Sequence, residues 1–149
     1  MFRKYYRPQS IAEALVILAD YEGRARVLAG GTDLMLQLKQ GEISFEAAVD
    51  ITAIKELRYI TEENDSIKIG ALSTHTDLAQ SPVLHKKALF LADAARSVGS
   101  LQIRNVGTVG GNVVNAQPAA DTAVPLMALN AVVTVVSPGG VRQISFDDL

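Results

Sequence analysis

The sequence has no cysteine and no tryptophan, and only two of its 149 residues are histidines. Without cysteine the chain cannot form a disulfide, supply a thiolate nucleophile or hold an iron–sulfur cluster through its own thiolates. His75 and His85 have no carboxylates at ligand spacing, so we interpret them as surface or helix-flanking residues and predict no metal site. Any redox chemistry would therefore need an organic cofactor.

The sequence also lacks an excess of charge of one sign and a long hydrophobic run. Its net charge is −2, and acidic and basic residues are interspersed, which predicts no nucleic-acid partner. The most apolar stretch, residues 122–136, is interrupted by Pro125 and Asn130 and predicts no membrane insertion. Because Met1 leads directly into a charged stretch, we expect no signal peptide and a cytoplasmic protein.

The first part of the chain alternates signals for helices and strands. Ser10 and Glu13 predict a capping box at a helix start, and Gly23 marks the helix end. The predicted elements are a helix at 11–19, a buried strand at 26–29, a short helix at 34–38 capped by Thr32 or Asp33, and a strand at 47–51. We interpret residues 1–56 as a small β-α-β lobe, an order compatible with parallel strands.

After residue 56 the pattern changes to hairpins and longer helices. The predicted elements are hairpins at 59–70 and 131–144, a helix that starts at Ser81–Pro82, buries positions 84, 88, 91, 92, 95 and 98 and ends at Gly99, an ordered glycine-rich loop at 100–118, and a helix at 122–129 capped by Asp121. We interpret residues 57–149 as a second, α+β lobe.

The first candidate binding segment is the turn after the strand at 26–29. There a buried strand runs into Gly30 and Gly31 and then into a helix start. Glycine permits positive φ and has no Cβ to hold a phosphate away from the backbone amides, and a helix start offers unpaired N–H groups. Taken alone, however, this segment is explained better as a tight turn without a ligand.

The second candidate segment, residues 102–115, has Gly107, Gly110 and Gly111 within five positions, together with Thr108 and Asn112. This composition predicts an ordered loop with positive φ at its glycines, whose amides could surround an anion. The alternative is a structural corner in which the asparagine side chains bind the backbone.

Asp121 and Arg104 are the charged candidates near these segments. A carboxylate at a loop–helix junction can accept two ribose hydroxyls, but Asp121 can equally be a plain N-cap. Arg104 stays charged, so we interpret it as a structural partner of carbonyls or of a carboxylate. A GxGxxG motif is absent, which excludes Rossmann-type dinucleotide binding. These residues predict two phosphate-compatible loops and offer Asp121 as a candidate ribose-binding acid, and they do not specify flavin.

Two stretches carry a resemblance to a known family. Ala29–Leu34 and Ile103–Asn112 resemble the two FAD pyrophosphate loops of molybdenum hydroxylase flavin subunits of the carbon monoxide dehydrogenase and xanthine dehydrogenase type. Residues 115–121 resemble the segment that leads to the ribose-binding aspartate of this family. Residues 6–18 and 69–74 also match, so the resemblance covers essentially the whole chain.

The resemblance implies an α+β, two-lobed FAD-binding fold of the vanillyl-alcohol oxidase and p-cresol methylhydroxylase type, with FAD between the lobes. Family members continue beyond residue 149, so the C-terminal part of the fold is expected to be missing. Cofactor contacts are implied for Leu28, Ala29, Gly30, Gly31, Thr32, Asp33, Leu34, Gly99, Thr108, Val109, Gly110, Gly111, Asn112 and Asp121. No residue resembles a general acid, base or nucleophile, so no catalytic residue is assigned.

The implied function is that of an FAD-binding electron-transfer subunit. In the family, a molybdopterin-containing large subunit oxidises the substrate, and an iron–sulfur small subunit passes the electrons to the flavin. The flavin then reduces an acceptor such as NAD or a quinone, and the isolated chain is expected to be inactive. Two alternatives remain: a non-catalytic nucleotide-binding or assembly module, and a fragment of a flavin oxidase that acts directly on an organic substrate.

Overall fold

The computed structural model describes residues 2–115 and 121–149. Helices and strands are mixed along this part of the chain, as the α+β prediction requires. The elements are β1 (Lys4–Tyr6), α1 (Ile11–Asp20), β2 (Ala25–Leu28), α2 (Leu34–Gln40), β3 (Ala47–Asp50), β4 (Ile60–Glu63), β5 (Ser66–Ile69), α3 (His75–Gln80), α4 (Pro82–Lys87), α5 (Leu89–Ser97), α6 (Leu101–Val106), α7 (Val109–Asn115), α8 (Ala123–Ala128), β6 (Val132–Ser137) and β7 (Gly140–Ser145).

The first sheet has three parallel strands in the order β1-β3-β2. Its central strand β3 is buried throughout, which is typical of a parallel strand covered on both faces. The two strands predicted from the sequence are both present, and their parallel pairing is confirmed. Strand β1 was not predicted, because three largely exposed residues carry no recognisable hydrophobic alternation.

Helix α1 begins as predicted, with one difference in its cap. The Ser10 hydroxyl accepts a hydrogen bond from the Glu13 N–H at 3.2 Å. The Glu13 carboxylate accepts from the N–H of Gln9 at 2.8 Å, one residue before the N-cap. The first half of the predicted capping box is therefore confirmed, and the returning bond is displaced by one residue.

The long helix predicted from Ser81 to Gly99 is wrong as a single element, because it is broken at Ala88 into α4 and α5. Ala88 has φ −149° and ψ 52°, outside the helical region. Alanine is the best helix former, so nothing local requires a break there. The break comes from tertiary packing, since α4 and α5 each pack against α3. All six positions of the predicted apolar stripe are nevertheless buried.

The glycine-rich stretch predicted as a loop instead contains α6 and α7, joined through Gly107 and Thr108. The Ser100 hydroxyl caps α6 by accepting from the Ile103 N–H. Arg104 donates to the carbonyls of Val98 and Gly99 at 3.1 and 2.9 Å, which confirms its structural role. Short helices were missed here because glycine weakens helix propensity and so hides the pattern.

Both predicted hairpins are confirmed. In the β4–β5 hairpin, Asn64 and Asp65 have φ of 46° and 64° and form the turn. Two positive φ angles in succession are the mark of a type I′ turn, which suits the twist of the flanking strands. The second hairpin pairs β6 with β7 in antiparallel register. Among the described residues, no helix is long and apolar enough to span a membrane.

Candidate functional site

The two predicted glycine segments meet in the structure. Gly30, two residues after the end of β2, lies against the backbone that joins α6 to α7. A Cβ added at Gly30 would stand 2.0 Å from the Val106 carbonyl oxygen and 3.0 Å from the Cα of Gly107. No side chain fits at such distances, so only glycine allows this approach. The fold thus brings together two segments that are far apart in the sequence.

The first segment presents open hydrogen-bond donors. Gly31 has φ +69°, as the turn was predicted to require. Beyond it, the N–H groups of Thr32, Asp33 and Leu34 have no acceptor among the described residues. Asp33 is the N-cap of α2, one of the two predicted positions, but its side chain makes no capping bond. The amides after Gly31 are therefore available to an external acceptor.

The second segment differs, because its amides are already engaged within the protein. The acceptors for the N–H groups of residues 109, 110, 111 and 112 are Ser73 O at 2.9 Å, Ala71 O at 3.0 Å, Thr108 Oγ1 at 3.1 Å and Thr108 O at 3.0 Å. A ligand at this segment would therefore find no free N–H among residues 109–112 and would meet the exposed surface of Gly111.

Gly110 and Gly111 lie in the first turn of α7 without positive φ, so the expectation of positive φ there is wrong. Gly110 is needed for packing, since a Cβ would stand 2.7 Å from the Ala71 carbonyl oxygen. At Gly111 a Cβ would meet only the Thr108 hydroxyl, at 3.0 Å. Gly110 therefore lets the protein's own backbone at Ala71 pack closely, and does not make room for a ligand.

Asp121 is exposed and does not cap α8. The N-cap is Thr122, which makes no side-chain capping bond, so the predicted capping role of Asp121 is wrong. Thr122 is fully buried, and its hydroxyl donates to Oδ1 of Asn112. This bond ties α7 to the start of α8 and fixes the backbone beside Asp121. The resembling stretch at 116–120 lies outside the described residues.

Of the remaining predicted contacts, Leu28 ends β2 and Ala29 follows it, and both are half-buried. Gly99 has φ +42° and forms the turn between α5 and α6, where its nearest neighbours are atoms of Ile103. The structure thus brings the segments around Gly30 and Gly107 into contact. Gly99 ends a helix, as predicted.

His75 lies beside the meeting point of the two segments, although the sequence predicted no role for it there. It begins α3, which fits a helix-flanking position, but it is only 3% exposed, so the surface interpretation is wrong. Its N–H donates to the Gly107 carbonyl at 3.0 Å, and its ring Cδ2 is 3.2 Å from where a Gly107 Cβ would stand. The unused signal was the capping box formed by Thr74 and Asp77, which marks the start of α3.

The imidazole of His75 is electrostatically unusual. Among the described residues, its Nδ1 is the buried side-chain polar atom without a hydrogen-bond partner. Burial lowers the pKa of His75 below its ordinary value of 6.5, while the carboxylates of Asp121 and Asp33 act in the opposite direction. Burial is the larger influence, so the ring is neutral at pH 7. His85, by contrast, is exposed, and its Nε2 lies 2.8 Å from the Ala79 carbonyl oxygen.

Comparison with known proteins shows the family of the chain. The model for the family described as "FAD binding domain in molybdopterin dehydrogenase" matches residues 1–149. The chain belongs to that family. The family's cofactor is FAD. No group of residues in the described part of the chain could hold a metal ion.

The relatives of this FAD-binding domain are subunits of larger enzymes. It is 39% identical over 142 residues to the xanthine dehydrogenase FAD-binding subunit of Escherichia coli O157:H7, covering 95% of this chain and 48% of that one. It is 34% identical over 144 residues to the carbon monoxide dehydrogenase medium chain of Hydrogenophaga pseudoflava, covering 97% of this chain and 50% of that one. The chain thus spans about half the length of these relatives.

The fold agrees with this membership. The solved carbon monoxide dehydrogenase from Hydrogenophaga pseudoflava, in a form that lacks the Mo-pyranopterin moiety, superposes with a TM-score of 0.96 at 33% identity. The match covers 99% of this chain and 51% of that one. The mixed helix-and-sheet fold is therefore that of a flavin-subunit domain.

The residues of the site fit FAD. Open amides after Gly31 suit phosphate oxygens, and the exposed carboxylate of Asp121 suits hydroxyl groups. Both features stand at or near the meeting point of the two glycine segments.

Replacement of Gly30 by alanine should destabilise the fold and weaken FAD binding together. The new methyl group would displace the Val106 carbonyl, and overpacking of this kind costs about 1–3 kcal/mol. Denaturant unfolding and FAD titration of Gly30→Ala measure both effects. Gly139→Ala is the matched control, since a Cβ there meets only the Ser137 hydroxyl at 3.7 Å. Equal stability of the two variants would contradict the close approach.

The stability of the protein should fall below pH 6.5 partly through His75. The unfolded chain takes up a proton near 6.5, whereas burial lowers the pKa of the folded group, so the unfolded state binds more protons as the pH falls. The stability due to neutral His75 is present above 6.5 and is lost between 6.5 and the lower folded value. Urea unfolding between about pH 7.5 and 5 should show a shallower decline for His75→Leu than for wild type or His85→Leu. Equal declines in stability for wild type and His75→Leu would contradict the contribution of His75.

Proposed function

We propose that this chain is the FAD-binding part of an electron-transfer subunit in a molybdenum hydroxylase, with FAD lying along the seam between the two glycine segments. The observation that carries the proposal is the contact of Gly30 with Val106 and Gly107, because it places the open amides of the first segment beside the second. A nucleotide bound across this seam would touch both segments at once.

Each part of the seam has its own role in this proposal. The N–H groups of residues 32–34 donate hydrogen bonds to the pyrophosphate. Backbone dipoles, and not a basic side chain, stabilise its negative charge. Asp121 accepts from ribose hydroxyls, and the Asn112–Thr122 bond holds the backbone next to it. Thr108 and Gly111 line the opposite side of the pyrophosphate, while Gly30 and Gly110 allow the backbone contacts on which the site is built.

We further propose that FAD lies between two lobes, residues 1–56 and 57–149, in the manner of the vanillyl-alcohol oxidase type. Two separate clusters of buried apolar residues support this division. The first is formed by Ala14, Ala25, Ala47, Val49 and Ile54. The second is formed by Leu78, Ala79, Leu84, Ala88, Leu91, Ala92, Ala95, Val109 and Leu126.

The proposed electron route involves other subunits. Electrons would arrive from an iron–sulfur small subunit, which is reduced by a molybdopterin-containing large subunit, and would leave to NAD or a quinone in the cytoplasm. Bound flavin would supply the redox chemistry, and this chain's residues would bind and orient it. The similarity to medium chains of carbon monoxide dehydrogenase supports this role. So does the absence of cysteine, since this chain has no thiolate ligands for a cluster.

The chain alone should bind FAD weakly, and Asp121→Ala should weaken that binding further by about 1.5–3 kcal/mol, the usual contribution of hydrogen bonds to a charged group. Inorganic pyrophosphate, which has no ribose, should bind both proteins equally. The measurement is calorimetric titration with each ligand, and Asp93→Ala, another exposed aspartate, is the control. No detectable FAD binding by wild type would refute the proposed function, and equal losses for both ligands would refute only the ribose role of Asp121.

The isolated chain should not oxidise a substrate of the complex, even with FAD added. No side chain of the site is assigned a role as general acid, base or nucleophile, and the substrate is expected to bind on the large subunit. Anaerobic mixing of chain, FAD and candidate substrates, followed at the flavin absorbance, tests this expectation. Addition of the partner subunits should restore reduction. Rapid bleaching by the chain alone would instead favour a self-contained flavin oxidase.

A further inference from the structure

One stretch that matches the family, residues 69–74, supplies none of the proposed ligand contacts. Residues 70–74, the connecting segment, join β5 to α3 and contain no helix or strand. Apart from Ala71, they are buried. Connections usually run over the surface, because buried backbone needs hydrogen-bond partners. The partners of this segment come from two distant parts of the chain.

On one side, the connecting segment is bonded to the chain that leaves the first lobe. The N–H of Leu72 donates to the Leu57 carbonyl at 2.7 Å, and the N–H of Gly70 donates to the Tyr59 carbonyl at 2.8 Å. The hydroxyl of Ser73, which is fully buried, donates to the same Tyr59 carbonyl at 2.9 Å. Leu57 itself packs against the first apolar cluster. These bonds therefore attach the connecting segment to the first lobe.

Gly70 is required for this attachment. A Cβ added there would stand 2.3 Å from the Leu57 carbonyl oxygen and 2.8 Å from Cδ1 of Tyr59. No side chain fits at these distances, so the position needs glycine for the same reason as Gly30. Two glycines thus permit close backbone contacts between the lobes, one at each end of the arrangement.

On its other side, the connecting segment is bonded to the second glycine segment. The N–H groups of Val109 and Gly110 donate to its carbonyls at 2.9 and 3.0 Å. Thr74 pairs with Thr108 in an antiparallel bridge. Because Gly30 of the first lobe lies against the same glycine segment, the contacts close a ring. The ring runs from the first lobe through the connecting segment and the second glycine segment back to the first lobe.

We propose that the connecting segment is a positioning element for the dinucleotide, which sets the distance between the open N–H groups of residues 32–34 and Asp121 before the ligand arrives. The inference rests on the proposed function and adds to it residues that do not touch the ligand. A flexible joint between lobes would lose conformational freedom on binding, whereas a closed ring has lost it already during folding. Gly70 and Ser73 are the positioning residues, since both attach the segment to the first lobe.

The absence of cysteine allows the spacing of the lobes to be measured directly. Val16→Cys on α1 and Asp93→Cys on α5 replace exposed residues, so each position can carry a nitroxide spin label. Double electron–electron resonance should give one narrow distance distribution that saturating FAD leaves unchanged. Gly70→Ala should broaden this distribution. A distance that shortens when FAD binds, or a broad distribution without the Gly70 substitution, would overturn the inference.

Affinity measurements test whether this spacing matters to the ligand. Gly70→Ala should lower FAD affinity about tenfold, the loss expected when one hydrogen bond to a charged group is misplaced. Ser73→Ala, which removes only the hydroxyl bond to Tyr59, should lower it about twofold to fivefold. Ser66→Ala is the matched control, since the Ser66 hydroxyl donates to the Glu63 carbonyl at 2.8 Å in an exposed turn. Equal affinities of Ser73→Ala and Ser66→Ala would contradict the role of Ser73.

A double-mutant cycle separates positioning from a loss of stability. If Gly70→Ala displaces Asp121 from the ligand, the loss of affinity caused by Asp121→Ala should be about threefold smaller in that background than in wild type. Equal losses in both backgrounds would refute the positioning role. Ser73→Ala takes the place of Gly70→Ala in the cycle if the latter does not fold. If wild type fails to bind FAD, the proposed function and the inference fail together, whereas FAD binding with a variable lobe distance refutes only the inference.

Discussion

The backbone contact between Gly30 and Val106 is the constraint on which the rest of the site depends. It requires a residue without a Cβ, and it fixes the end of β2 against the junction of α6 and α7. The positive φ of Gly31 then turns the chain so that the next three amides remain open. On the other side, Gly107 rests on the ring of His75. The contact of Gly30 with Val106 thus positions the open N–H groups after Gly31, the junction of α6 and α7 and the His75 ring relative to one another.

The two glycine segments look alike in sequence but differ physically. In the first segment, glycine provides an unusual backbone angle and leaves amides free. In the second segment, the amides are engaged by the protein, and Gly110 serves to let α7 approach Ala71 closely. Arg104, a nearby cation, is committed to the carbonyls of Val98 and Gly99. Binding of a charged nucleotide here would therefore rely on backbone dipoles more than on basic side chains.

Long-range bonds support the residues that a ligand would meet. Thr122 is fully buried and holds Asn112, although the two are ten positions apart. Asp77 both caps α3 and pairs with Arg58 through two bonds of 2.9 Å. These bonds fix the start of α3, which begins at His75, and the start of α8, which Asp121 precedes. Preorganisation of this kind lowers the cost of ordering a binding site when the ligand arrives.

The sequence by itself determined the features that depend on neighbouring residues: the turn at Gly31, both hairpins, the start of α1 and the buried stripe from Leu84 to Val98. Such features follow from glycine conformation, alternation and capping, which act over a few positions. The tertiary structure alone decided the break at Ala88, the helical state of α6 and α7 and the burial of His75. These depend on contacts between distant segments, which override weak local propensity and leave no periodic signal in the chain.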